Sequence, residues 1–193
     1  MPTPAKKPAE RFLARAMGAD PGDTCGLAVV EFDGLTFTVL AAVGLKMSTK
    51  GGQRAIGQFM DDCARFAPIA GLAMEEPGYM FARREFQAKG TQQAMAIGLR
   101  IGIGQGQRRG ELRARAVDRG IPLLDQIPQQ TVKAAVASGR ATKEQMIAAV
   151  RARTGYAAET EHVADAIAVA MTALKALYLA HLTKEQRHLP KSP

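Results

Sequence analysis

Short apolar runs separated by turn residues make up the first quarter of the chain. The runs cover about 15–20, 25–32 and 36–44, with Pro21-Gly22 and Asp33-Gly34 between them. Asp-Gly between two apolar runs is a strong hairpin signal. The pattern therefore predicts three consecutive antiparallel strands.

The apolar spacing then alternates between helical and strand-like. A continuous apolar run such as "PIAGLAME" is typical of a strand buried on both faces. At 142–153, a threonine followed by Glu-Gln in the first turn resembles a helix-capping arrangement. The predicted elements are a helix at 49–66, a strand ending at Glu75, a long helix at about 88–118, a short strand in "IPLLDQI", and helices at 142–153 and 160–182. Together they predict an α/β fold, a mixed five-stranded sheet flanked by helices.

The two ends of the chain differ in composition from the middle. Residues 1–14 are rich in proline and lysine and predict a basic flexible arm, and 183–193 predict a polar tail. The interval 15–182 has no linker and no internal repeat, so we expect one folded domain. The start lacks the apolar core of a signal peptide, and no run of about 18 apolar residues predicts a membrane span.

Charge and cysteine content narrow the possible functions. The chain of 193 residues has a formal net charge of +8. Such a surplus favours a polyanionic partner, because Lys and Arg release counterions from phosphates; an inert basic surface is equally open. Cys25 and Cys63 form no zinc motif or disulfide framework, which indicates a reduced, cytoplasmic setting. The lack of a long apolar run predicts no membrane partner.

Two carboxylates are expected at the same edge of the sheet. Asp20 and Glu75 each end a predicted buried strand. If the strands are neighbours, the two charges repel each other unless a cation such as Mg²⁺ lies between them. Asp20 could instead be a turn residue before Pro-Gly, and Glu75 could be a solvent-facing charge with Glu76 competing for its role.

The last predicted helix carries a second polar pair. His162 and Asp165 are three residues apart and share a helix face. Asp165 interrupts an apolar stripe, so it needs a partner, and a metal is one candidate. Exposed positions at a helix start are the alternative. Three carboxylates and an imidazole would suit two metal ions about 4 Å apart acting on a phosphodiester.

Four segments in order resemble the motifs of RuvC-type Holliday junction resolvases, which belong to the ribonuclease H-like superfamily. They are "GADPG", "LAMEE", "TVKAAVASGRATKEQM" and "HVADAIAVA", within 17–173. The resemblance, to a divergent or virus-type member, implies a ribonuclease H-like sheet of three antiparallel strands with parallel additions. It also implies a homodimer that nicks four-way DNA junctions with Mg²⁺ or Mn²⁺, two ions per site, in the cytoplasm of its own or a host cell.

The resemblance also assigns roles to individual residues. Asp20, Glu75 and Asp165 would be catalytic metal ligands, and His162 would ligate the second metal or activate water. Lys143 would stabilise transition-state charge. The implied DNA-binding residues are Lys133, Lys143, Arg140, Arg83 and Arg84, with Tyr79 or Phe81 as an aromatic wedge. Pro77-Gly78 departs from the family pattern near this wedge.

A ladder of small residues occupies the long helix. Gly98, Gly102, Gly106 and Gly110 recur every fourth residue, extended by Ala94 and Ala114. The segment lacks the GK[ST] of a phosphate-binding loop. Glycines in a helix need a packing reason, so we expect close packing in the core or across a two-fold dimer interface. Five arginines on this helix are expected to face DNA or solvent: Arg100, Arg108, Arg109, Arg113 and Arg115.

Other functions remain open at this stage. A broader branched-DNA nuclease would differ only in its substrate, and a non-catalytic junction-binding protein would keep the fold without cleavage. An actin-like ATPase would need two such domains. Asp23 is interpreted as part of the turn after Asp20.

Overall fold

The computed structural model describes residues 12–76 and 91–187, with side chains for all of these but 91–101 and 185–187. Its five strands are β1 (Ala14–Pro21), β2 (Thr24–Phe32), β3 (Phe37–Lys46), β4 (Leu72–Glu75) and β5 (Leu123–Ile127). They form one sheet in the order β3-β2-β1-β4-β5. The first three strands pair antiparallel, β4 is parallel to β1, and β5 is parallel to β4. The predicted mixed five-stranded sheet is confirmed.

Five helices accompany the sheet in the described part of the chain. They are α1 (Lys50–Asp62, continued by a 3₁₀ turn at Cys63–Phe66), α2 (Thr91–Asp118), α3 (Gln129–Val136), α4 (Lys143–Thr154) and α5 (Glu161–Arg187). Helix α3 was not predicted, and α5 continues past the predicted end at 182. The capping arrangement at Thr142 is confirmed, because its hydroxyl accepts from the Gln145 amide while the Gln145 side chain accepts from the Thr142 amide.

The strand alternation creates a separate core on each face of the sheet. Ala16 and Ala73 face a cluster built with α3, α4 and α5, whereas Met17, Ala19 and Met74 face a cluster built with α1 and α2. Successive side chains of a strand point to opposite faces. By this alternation, Asp20 lies on the same face as Ala16 and Gly18, and Glu75 lies on the same face as Ala73. Both carboxylates therefore belong to the α5 side of the sheet.

Two glycines allow α5 to lie directly on the central strands. A Cβ at Gly18 would overlap the backbone of Ala166 and Ala170, and a Cβ at Gly26 would overlap the carbonyl of His162. Glycine in a strand often marks such a close backbone approach. The absence of these two side chains therefore brings the first turns of α5 to the ends of β1 and β2.

The glycine ladder does not pack inside this chain where its surroundings are described. A Cβ at Gly102, Gly106 or Gly110 would have no neighbour within 4 Å. The interpretation as core packing is wrong for these three positions, while the dimer interpretation stays a prediction. The side-chain environment of Gly98 lies outside the described residues.

The ends of the domain differ slightly from the predicted boundaries. Phe12, placed in the flexible arm by composition, packs against the rings of Phe32 and Tyr178. Folded contacts therefore begin two residues before Ala14. By length and composition, α5 is the one described helix that could cross a membrane, but most of that stretch is buried in the fold.

Both cysteines are buried free thiols. Burial raises the pKa of Cys25 to about 12 and that of Cys63 to about 11. Since the thiolate is the reactive form, both side chains act as core residues.

Candidate active site

The two strand-end carboxylates are neighbours in the sheet. The parallel register pairs Ala19 with Met74, so Asp20 and Glu75 are the next residue on each strand. Glu75 is buried, with 8% of its surface exposed, and the Asp20 side chain is 20% exposed. The predicted meeting of these two side chains at one sheet edge is confirmed.

Helix α5 supplies the other polar groups of this edge. His162 Nδ1 lies 2.7 Å from Asp20 Oδ2. A carboxylate can only accept, so with Asp20 ionised the imidazole donates from Nδ1 and leaves Nε2 for a second partner. Asp165, one turn further along α5, lies close enough to raise the pKa of Glu75, and the Asp20 carboxylate in turn raises the pKa of Asp165.

The electrostatics of the cluster disfavour three free negative charges. Burial, and then the Asp20 and Asp165 carboxylates, raise the pKa of Glu75 to about 7. Burial and the Asp20 carboxylate raise the pKa of Asp165 to about 6. Burial also raises the pKa of Asp20, although the contact with His162 opposes this. A bound cation would favour the ionised forms of all three groups.

An arginine from the other side of the sheet reaches the same place. Arg109 of α2 is buried and donates from Nε and Nη2 to the main-chain carbonyl of Glu75, at 3.3 and 3.0 Å. The expectation that Arg109 faces DNA or solvent is therefore wrong. The residue pattern could not show this, because Arg108 and Arg109 are adjacent and nothing in their composition separates them.

The two predicted lysines lie at different depths. Lys133 of α3 is half-buried, donates to the Ala141 carbonyl, and is close enough to lower the pKa of Glu75 and Asp165. Lys143 is 71% exposed and forms an ion pair with Glu161. That contact raises the pKa of Lys143.

Two acidic residues have partners that the residue pattern did not indicate. Glu161, the first residue of α5, holds Lys143 and also lies 3.8 Å from His162 Nε2. Its position at the start of the helix, next to the histidine, was the available signal. Asp23 is more than a turn residue, because its carboxylate accepts from Arg108 Nη2 at 3.0 Å and its carbonyl accepts from the Met47 amide.

The sequence matches a known family along most of the chain. The model of the crossover junction endodeoxyribonuclease RuvC family matches residues 16–173. The chain belongs to the RuvC family. The matched interval contains Asp20, Glu75, His162 and Asp165. The nucleases of this family depend on a metal.

Relatives of the RuvC family are similar over most of their length. The crossover junction endodeoxyribonuclease RuvC of Anaeromyxobacter sp. (strain Fw109-5) is 29% identical over 158 residues, covering 81% of this chain and 70% of the relative. That of Anaeromyxobacter dehalogenans (strain 2CP-C) is 28% identical over 156 residues, covering 80% and 77%.

Solved RuvC structures share the fold. The structure of Thermus thermophilus RuvC superimposes with a TM-score of 0.63 at 27% identity, covering 85% of this chain and 96% of that one. The structure of T. thermophilus RuvC in complex with a Holliday junction substrate gives a TM-score of 0.61 at 24% identity, covering 86% and 96%, and supports the fold alone. The ribonuclease H-like fold class is confirmed.

The donor set of this RuvC-family site fits a hard divalent cation. Carboxylate oxygens and one imidazole meet at an edge where burial and mutual repulsion still raise the pKa values of Glu75 and Asp165. Across 12–76 and 91–187, no three His, Cys, Asp or Glu side chains form a group tight enough to hold an ion by themselves. Mg²⁺ takes one or two protein carboxylates and completes its shell with water and substrate phosphate.

Several predicted DNA-binding residues cannot be placed. Tyr79, Phe81, Arg83 and Arg84 all lie between 77 and 90, outside the described residues. Arg140 is exposed just before α4, on the segment that also carries Lys143.

Proposed function

We propose that this RuvC-family protein is a Holliday junction resolvase that nicks opposing strands of four-way DNA junctions. The observation that carries the proposal is the meeting of Asp20, Glu75, Asp165 and His162 at one sheet edge within a RuvC-family domain. In-line attack of water on a phosphodiester is the reaction that such a carboxylate and imidazole set supports.

The carboxylates would hold two Mg²⁺ ions, with Mn²⁺ as a substitute. When bound, these ions supply a low-pKa water and stabilise charge on the leaving oxygen. Asp20 positions the His162 ring through Nδ1. His162 Nε2 would then accept the proton of the attacking water or serve as a metal ligand, and Asp165 and Glu75 would complete the oxygen ligands.

The lysines would act on the substrate phosphates. Lys133 lies nearest the carboxylates and would contact the scissile phosphate. Lys143, together with Arg140, would contact junction backbone. Because phosphate oxygens compete with Glu161 for Lys143, junction binding would release that exposed ion pair, which is worth little by itself.

The partner would be branched DNA, chiefly the four-way junction, and the protein would act in the cytoplasm as a homodimer. A four-way junction has two-fold symmetry, so a symmetric dimer presents one site to each of two opposing strands. The net charge of +8 favours a polyanionic partner.

The test uses a four-way junction labelled on each strand, with Mg²⁺ or Mn²⁺. We expect paired nicks from the wild-type protein, and no cleavage from Asp20→Asn or Asp165→Asn, because each removes a metal-binding charge. Both variants should still bind the junction in EDTA. Full nicking by either variant would contradict the proposal.

A substrate panel separates resolvase activity from its alternatives. Four-way, three-way, flap and linear DNA are compared at equal protein concentration. Preference for the four-way junction supports a resolvase, and equal cleavage of flaps identifies the broader branched-DNA nuclease. Binding without cleavage under both metals would instead indicate a junction-binding protein.

A further inference from the structure

Arg109 is the basic residue most deeply placed at the acidic edge. It projects from α2, which packs on the opposite face of the sheet from α5. Only 9% of its surface is exposed. Its guanidinium reaches the main chain at the end of β4, where little of it is open to solvent.

Its hydrogen bonds are directed at the main chain of Glu75. Two guanidinium nitrogens donate to the same carbonyl, Nε at 3.3 Å and Nη2 at 3.0 Å. Glu75 is the last residue of β4, and the next amide, Glu76 N, donates to the Ile127 carbonyl of β5. The peptide that carries the Glu75 side chain is thus fixed from both neighbouring elements.

Its charge is matched by the site. A buried guanidinium is costly unless opposite charges and acceptors surround it. The charges that act on Arg109 are those of Glu75, Asp20 and Glu76. The carboxylates of the candidate active site therefore offset the cost of burying this arginine.

We propose that Arg109 is a positioning residue of the catalytic centre, which fixes the Glu75 main chain and places a positive charge beside Asp20 and Glu75. The inference rests on the proposed function for its catalytic consequence. Arg109 fixes the position of the Glu75 carboxylate for metal binding, and it contacts neither DNA nor the reacting phosphate.

The direction in which cation affinity changes when Arg109 is replaced distinguishes a positioning role from a purely electrostatic one. Removing a positive charge next to a metal site should tighten cation binding if Arg109 only repels the metal. If Arg109 positions Glu75, its loss should weaken cation binding, and changes in groups that orient metal ligands typically reduce affinity or activity by about 10–100-fold.

The experiment measures Mn²⁺ binding to the DNA-free protein, from the loss of the free Mn²⁺ paramagnetic resonance signal. Arg109→Gln removes the positive charge and the pair of guanidinium donors, whereas Arg109→Lys keeps the charge but offers a single ammonium group as donor. Arg113→Gln is the matched control, because Arg113 is exposed one turn further along α2. We expect about 10-fold or weaker Mn²⁺ binding for Arg109→Gln, an intermediate loss for Arg109→Lys, and wild-type binding for Arg113→Gln.

Two further readouts complete the test. Single-turnover nicking at saturating protein should fall in the same order as Mn²⁺ affinity. The salt dependence of junction binding in EDTA should be unchanged in Arg109→Gln, whereas loss of a phosphate contact lowers that slope by about one. Circular dichroism confirms folding, and Arg109→Lys decides the question if Arg109→Gln does not fold.

Unchanged or tighter Mn²⁺ binding in the folded Arg109 variants would overturn the proposal, as would a reduced salt slope. The outcome is separable from that of the proposed function. If the wild-type protein binds Mn²⁺ but nicks no junction, the function fails while the Mn²⁺ affinities still decide the role of Arg109.

Discussion

Asp20 links the acidic and basic chemistry of the site through its two oxygens. Oδ2 is engaged by His162 Nδ1 at 2.7 Å, which leaves Oδ1 for a cation. A carboxylate that accepts from one ring nitrogen fixes the tautomer and the orientation of an imidazole. The same aspartate therefore orients His162 and contributes negative charge to the metal ligands, so substitution of Asp20 removes both effects.

The raised pKa values predict how the metal-free protein responds to pH. The pKa of Glu75 is raised from 4.5 to about 7, so the folded state prefers the protonated form. This group does not destabilise the fold below pH 4.5, and its cost grows as pH rises to about 7. Asp165 adds a similar effect between its ordinary 3.8 and about 6. Each pKa unit corresponds to about 1.4 kcal/mol.

The measurement compares thermal unfolding of wild type and Glu75→Gln in EDTA across pH 4.5–8. We expect similar midpoints near pH 4.5 and a higher midpoint for the variant at pH 8, by several degrees. Mg²⁺ should raise the wild-type midpoint more at pH 8 than at pH 5, and should have less effect on Glu75→Gln. A pH-independent difference between the two proteins would show that Glu75 does not carry this repulsion.

The site forms only if α5 packs closely against the ends of β1 and β2. Helix α5 contributes His162 and Asp165, while β1 and β4 contribute Asp20 and Glu75. These elements meet because Gly18 and Gly26 leave no side chain between strand and helix backbone. Site geometry therefore depends on two residues that have no chemistry of their own.

Gly26→Ala tests this dependence. The added methyl group would overlap the His162 carbonyl, so α5 must shift at its first turn. Overpacking of this kind typically costs about 1–3 kcal/mol, and we expect nicking to fall with stability. Urea unfolding and single-turnover nicking are the measurements.

Gly51→Ala in α1 is the matched control. Gly51 is exposed and a Cβ there meets nothing within 4 Å. Alanine should leave nicking unchanged and raise helix stability by up to about 1 kcal/mol. Equal behaviour of the two variants would show that the α5–sheet contact does not set the site.

Elements marked by turn residues or by a clear apolar pattern could be predicted from the sequence, and α3 could not. β1, β2 and β3 were predictable because Pro21-Gly22 and Asp33-Gly34 mark both turns. Helix α3 was not predictable, because only two of its eight residues are buried, Val132 and Val136, and no side chain forms a hydrogen bond that caps its N-terminus.

Within the site, local sequence predicted the carboxylates and His162 but not the contacts of Arg109 and Asp23. Asp20 and Glu75 each end a strand, and Asp165 interrupts an apolar stripe, so each is unusual in its own segment. Arg109 and Asp23 gain their roles only from elements far along the chain. Neither residue is unusual among its sequence neighbours.

For the whole molecule, charge is distributed unevenly around a basic chain. The net charge is +8, yet Asp20, Glu75, Asp165 and Glu161 concentrate negative charge at one sheet edge. Such an edge repels DNA phosphate unless cations are present. Arg140 and Lys143 lie on the neighbouring exposed segment. The positive charge of the protein would attract a phosphate backbone from a distance, and cations bound by the carboxylates would remove the repulsion close to the site.

The open glycine face of α2 gives the last prediction, which concerns assembly. Among the described residues, nothing lies within 4 Å of a Cβ placed on Gly106 or Gly110, and glycine weakens a helix by about 1 kcal/mol relative to alanine. Small residues allow two helix backbones to approach closely. If two copies pack along this face, Gly106→Ala/Gly110→Ala should stabilise the isolated helix but separate the backbones in the dimer.

The two effects have opposite signs and can be measured in one protein. We expect sedimentation velocity to give twice the 20.6 kDa chain mass for wild type at micromolar concentration. The double variant should dissociate at higher concentration while its dilute, monomeric form unfolds at a higher midpoint. Paired nicking of both junction strands should then become two independent events, because each monomer carries one site. A monomeric wild type, or a double variant that dimerises as tightly, would contradict the proposed α2 interface and require another explanation for these glycines.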